Sequence, residues 1–219
     1  MLNLYVPQRA FFNYSFVCPY RPQAPPINGN LRDWDDSYLI PDLMRQEGAS
    51  SYAELYMAWN EEGLYFGLEV KGKSRYKLDP KKYWQGDCLE IWLDTRDVKD
   101  SHRANRYCYH FYFLPGGSGK DGRKPIGRQA SIDNAREQAP PFPEESVKVG
   151  LRRLKRSYQM EIALSAVQLQ GFQPDEFDRL GFNYVLHDIE KGAQSWTASR
   201  DQERAHDPSA WGSVEIRRP

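Results

Sequence analysis

Histidine and cysteine are scarce in this chain, with 4 and 3 copies in 219 residues. Cys18, Cys88 and Cys108 form no CxxC pair, so neither a disulfide framework nor a zinc knuckle is indicated and reduced thiols are expected. No apolar run approaches the roughly 20 residues that a bilayer span needs. Charge of one sign is missing as well. Thirty Lys and Arg balance thirty Asp and Glu, which argues against broad capture of nucleic acid or an anionic membrane. The first twenty residues lack the basic region, apolar stretch and cleavage site of a signal peptide. The expectation is a protein that stays inside the cell, or a processed or excised module outside it. Catalytic signatures are absent too: no GxSxG, no HExxH and no dinucleotide fingerprint. Gly116 to Lys120 is glycine-rich, but Asp121 follows where a phosphate loop needs Ser or Thr. The acidic run Asp33–Asp36 fails as a calcium loop, because Tyr38 and Met44 stand where Gly and Glu are required.

What is abundant is aromatic. Fourteen Tyr, 10 Phe and 6 Trp make up 14 % of the chain, punctuated by 15 Pro and 16 Gly. Alternation of period two recurs. Leu55, Met57 and Trp59 lead through a turn at residues 60–63 to Leu64, Phe66, Leu68 and Val70, which reads as a hairpin facing one core. Residues 88–93 alternate with Leu89, Ile91 and Leu93 inward, leaving Cys88, Glu90 and Trp92 on the opposite face. Residues 107–113 are aromatic on both faces, so that strand is covered on both sides or lines a groove. Strands resume over 147–154 and 158–164 around a basic tip (Arg152, Arg153, Lys155, Arg156) expected to be solvated. Further strands are expected at 182–187, 194–198 and 213–217, with a helical turn near 165–169. Residues 115–146 hold no sustained period and read as a long inserted loop, and 1–25 as an irregular leader. With many short strands and no amphipathic helix, the expectation is one all-β domain over 1–219: a two-sheet antiparallel β-sandwich, immunoglobulin-like or jelly-roll.

Five short motifs, in order, resemble the family 9 carbohydrate-binding modules within the DOMON-like group of sandwich domains. They are Ile27-Asn28-Gly29 to Trp34, Ala58-Trp59-Asn60 to Phe66, Tyr83-Trp84-Gln85-Gly86-Asp87-Cys88-Leu89-Glu90 to Asp94, Gly181-Phe182-Asn183 to Asp188, and Asp207-Pro208 to Gly212. The resemblance implies a non-catalytic sugar-binding domain. A Trp before the acidic strand would stack on the sugar and the strand's Glu would accept hydroxyl hydrogen bonds, roles that fall on Trp84 and Glu90. Alternation puts Trp92 on the face of Glu90, and pairing with the next strand would bring His110 and Tyr112 alongside. Two family features are missing: a second Trp aligns with Ala205, and a sugar-contacting Gln with Val185.

The expected partner is therefore a carbohydrate, with no nucleic acid and no membrane. No cofactor is expected, although Asp33, Asp35 and Asp94 are candidates for a structural calcium. Trp34, Trp59 and Trp211 are assigned to the core. Three other functions compete: a scaffold or interaction domain that has lost its sugar site, a haem domain ligated by Met57 and His110, and a glycosidase pairing Glu90 with Asp188.

Overall fold

The computed structural model describes residues 12–197 and 206–218, without the side chains of Gln46 and Glu47. Alternating apolar side chains dictate where strands form. Eleven are described: β1 (Ser15–Val17), β2 (Ala53–Asn60), β3 (Gly63–Lys71), β4 (Cys88–Asp94), β5 (Cys108–Ser118), β6 (Lys124–Ala130), β7 (Val147–Arg153), β8 (Ser157–Ser165), β9 (Arg179–Asp188), β10 (Gly192–Ser195) and β11 (Gly212–Glu215). They make two sheets. The larger runs β1-β11-β9-β4-β5-β6, with β10 also on β9, and the smaller runs β2-β3-β8-β7. Helices among the described residues are short 310 turns, none long and apolar enough to cross a membrane. The fold is the expected β-sandwich, antiparallel throughout except that β1 runs parallel to β11.

The main core lies between the sheets. Leu89, Ile91 and Leu93 of β4, Tyr109, Phe111 and Phe113 of β5, and Phe182 and Leu186 of β9 meet Leu55, Met57, Trp59, Phe66, Met160 and Ile162 from the smaller sheet. Each such side chain contributes on the order of 1.5–3 kcal/mol through removal from water. Trp59 belongs to this core. Trp34 is buried outside the smaller sheet with Tyr56 and Tyr65, while Trp211 packs with Trp92 on the outer face of the larger sheet.

The Trp34 layer has a specific anchor. Glu161 of β8 is fully buried and accepts from the backbone N–H groups of Asn28 (2.9 Å), Gly29 (2.8 Å) and Asn30 (3.2 Å) and from Trp34 Nε1 (3.0 Å). Four donors converging on one carboxylate explain why the first motif couples an Asn-Gly turn to a Trp.

Two segments are more ordered than expected. Residues 115–146, read as an inserted loop, supply the end of β5 and all of β6. Apart from Ile126 at 7 % exposure, the residues of β6 are half-buried or exposed, so the strand carries no apolar alternation to read. The irregular leader likewise contains β1, and Tyr20 bridges to Trp59.

Candidate functional site

The outward face of the larger sheet carries a cleft of about 1080 Å³. Its floor follows from register. Glu90 of β4 stands opposite Tyr112 of β5 and Val185 of β9, and Trp92 stands opposite His110 and Asn183. Inward positions belong to the core, so period two turns these side chains the other way. A 310 turn at Tyr83–Gln85 forms one wall, and Ser131, Asp133, Lys191 and His206 contribute to the others. All five residues expected at the site, Trp84, Glu90, His110, Trp92 and Tyr112, line this one cleft.

Their exposures differ sharply. Trp84 is 45 % exposed, whereas Trp92 is 2 %, His110 3 %, Glu90 6 % and Tyr112 7 % exposed. The buried rings stack on one another. Trp92 lies flat on His110, with centroids 4.4 Å apart and an interplanar angle of 13°. Tyr83 lies on Tyr112 at 4.0 Å and 4°, and Trp84 meets the edge of Tyr83 at 5.1 Å and 90°. One ring therefore stands free, on a base of stacked aromatics that fixes its position.

Glu90 is the polar centre. Its Oε2 lies 2.7 Å from His110 Nε2, and its Oε1 lies 2.7 Å from His187 Nε2. An ionised carboxylate only accepts, so both imidazoles donate from Nε2, which leaves His110 Nδ1 buried and without a partner. Burial alone would raise the Glu90 pKa. The two imidazole hydrogen bonds and their charge overcome it and hold the carboxyl at about 2. The side chain of His187 is 26 % exposed, the more open of the two rings. Nearby, burial lowers the pKa of His206, which sits 3.9 Å from Asp133.

His187 is not among the residues expected from sequence, yet it lies two residues beyond Val185, and alternation along β9 puts the two side chains on the same face. Asp133 and His206 come from loops, and no sequence period points to them. The missing second platform, Ala205, lies outside the described residues, whereas Val185 does line the cleft as expected.

Of the competing pairs, one is kept apart and the other is engaged by different partners. Met57 is in the core between the sheets, while His110 faces away from that core on the other sheet, so they do not form a haem-ligand pair. Asp188 binds Lys73 Nζ at 2.9 Å, and Glu90 is engaged by imidazoles. No group of three or more His, Cys, Asp or Glu among the described residues is placed to hold a metal ion. Asp35 caps Ser37, and Asp94, whose pKa burial raises, accepts from the N–H groups of Arg96 and Val98.

The two-sheet sandwich is shared with carbohydrate-binding modules of family 9. Two solved structures of such a module from Caldicellulosiruptor kristjanssonii are similar to the chain. The one in complex with cellotriose is 14 % identical, with TM-score 0.63 over 94 % of this chain and 95 % of that one. The one in complex with glucose is also 14 % identical, with TM-score 0.62 over 94 % and 97 %. A Bacteroides uniformis protein gives 12 % identity and TM-score 0.58 over 94 % and 100 %. No curated protein matches the chain. The profile of the carbohydrate family 9 binding domain-like family matches residues 30–218, and the chain belongs to that family.

Proposed function

We propose that this protein is a non-catalytic carbohydrate-binding module that stacks one or two sugar units on Trp84, with Glu90 and its imidazoles as the polar partners. The observation that carries the proposal is a single exposed indole, braced by Tyr83 and Tyr112, standing in the same cleft as a carboxylate shared between two histidines. A sugar presents a C–H face that suits an aromatic ring and hydroxyls that suit charged or imidazole partners. Glu90 uses one acceptor site on each oxygen for the histidines and keeps about half of its roughly four lone-pair sites for hydroxyl groups. With one free platform, affinity is expected on the order of micromolar to millimolar. The complexes of the similar modules with cellotriose and glucose make β-glucan fragments the first ligands to try.

The test is calorimetric titration with glucose, cellotriose and a panel of other oligo- and polysaccharides. Trp84→Ala should weaken binding by about fivefold or more, the equivalent of about 1 kcal/mol of stacking. Silence across the panel, or unchanged affinity in Trp84→Ala, overturns the site and leaves an interaction scaffold as the better reading.

A further inference from the structure

Three surface segments meet at one end of the sandwich. The N–H of Lys73 donates to the Arg156 carbonyl (2.8 Å). Arg153 Nη2 donates to the Pro115 carbonyl (2.7 Å), and its guanidinium lies 4.8 Å from the centre of the Tyr76 ring. Leu78 packs against Gly116 and Gly117, and Pro80 against Gly117. These contacts hold residues 73–82, 115–124 and 152–157 side by side.

Their composition is lopsided. Residues 75–82 carry four basic side chains against Asp79, residues 115–124 carry three against Asp121, and residues 152–157 carry four against none. Of the thirty balancing carboxylates, Asp87 and Asp188 are engaged by buried Lys73 and Glu190 by Ser74 and Arg75, and much of the remaining negative charge lies elsewhere. Register shows part of where. Gly63 pairs with Ser165 and Lys71 with Ser157, which puts the β2–β3 turn, with Glu61 and Glu62, at the far end of the smaller sheet. Lys81, Lys82, Lys120, Lys124, Lys155 and Arg156 are exposed, and their side chains make no ion pair or hydrogen bond with a described residue. Crowded, unpaired cations repel one another, and a linear polyanion relieves that repulsion along its whole length.

We propose that this end of the sandwich binds an anionic polysaccharide, a polyuronate chain that runs from the cleft at Trp84 across the three basic loops. Lys81 and Lys82 directly precede Tyr83 and Trp84, so patch and cleft share a border. Along β5, Tyr112 on the cleft floor is six residues from Ser118 at the basic tip, a run of about 20 Å at strand rise. The charges are spread over three loops, which suits a polymer better than a single small anion. Preference for a sugar polymer over a nucleic acid rests on the carbohydrate reading of the cleft.

The experiment titrates the protein with polygalacturonate, with the same polymer after carboxyl reduction, and with oligodeoxythymidylate of matched charge. Polygalacturonate should bind, the reduced polymer should bind at least about tenfold more weakly, and raising salt from about 50 to about 200 mM should cost at least about tenfold in affinity. The fourfold variant Lys120→Glu/Lys124→Glu/Lys155→Glu/Arg156→Glu should lose at least about tenfold for polygalacturonate while keeping its affinity for neutral sugars. Glutamine at the same four positions gives the same direction with a smaller loss. Trp84→Ala should weaken polygalacturonate as well as neutral sugars, whereas the fourfold variant weakens polygalacturonate alone. Binding of neutral sugars without polygalacturonate overturns the patch and leaves the cleft standing. Binding of polygalacturonate without neutral sugars leaves the basic loops as the binding surface and overturns the path through the cleft. Oligodeoxythymidylate bound as tightly as polygalacturonate, or an unaffected fourfold variant, overturns the proposal.

Discussion

Glu90 sits between two imidazoles, and this sets its dependence on pH. Its folded pKa of about 2 lies below the ordinary 4.5, so folding favours the ionised form. The stability this contributes is fully present above about pH 4.5 and is lost as pH falls toward 2. Glu90→Gln should therefore be destabilised by about 1–3 kcal/mol near neutrality, with the gap to the parent protein narrowing at about pH 3. Urea titrations at the two pH values measure it, and a gap that stays constant contradicts the assignment. Glu161 is a second buried carboxylate, held by four donors. Glu161→Gln should unfold more easily by about 2–4 kcal/mol, because an amide N–H₂ would face donors that now meet a carboxylate. Trp34 fluorescence should move with it, since the indole N–H loses its partner. The role of Glu161 was not legible in sequence. Glu90 was recognised through its motif and strand face and His110 through pairing with the next strand, whereas His187 arrives from β9.

Elements were the most legible level. Hairpin β2–β3 and strand β4 follow the apolar alternation closely, because each buries one face against the core. β6 escaped for the converse reason. It is a polar edge strand joined to β5 by a glycine-containing tip, and pairing to β5 holds it in place without an apolar stripe. Gly150 of β7 shows how closely elements approach. A Cβ there would stand 2.5 Å from Gly29 N and 2.6 Å from Asn28 N, backbone atoms of the turn that Glu161 anchors. Gly150→Ala must push that turn off the sheet, with an expected loss of about 1–3 kcal/mol in equilibrium unfolding. A stability equal to that of the parent would mean the turn can shift freely.

At the scale of the whole molecule, the two sheets are also joined by charge. Lys73, just past β3 of the smaller sheet, is fully buried and pairs with Asp87 before β4 and with Asp188 at the end of β9 (2.9 Å to the latter). Asp87 also accepts from the N–H groups of Lys77 and Ile189, so each carboxylate is tied to backbone as well as to the lysine. Lys73→Met would leave two buried carboxylates facing each other and should cost about 3–5 kcal/mol, with the midpoint of thermal unfolding falling accordingly. Burial of that size is tolerated because three elements close over the amine together.

Local chemistry determined the faces of β2 to β5 and most of the core aromatics, since these depend on neighbours two or a few residues apart, and the order of five short motifs pointed to the family. It also placed Trp84 beside a Glu-bearing strand. Only the tertiary structure decided that Trp92 and Tyr112 are buried supports while Trp84 is the free ring, because which outward side chains are covered depends on a wall built from distant loops. The same holds for His187 on Glu90, for the Lys73 carboxylate pair, and for the three basic segments. Their sequence separations are large, and only the closure of the sandwich brings them together.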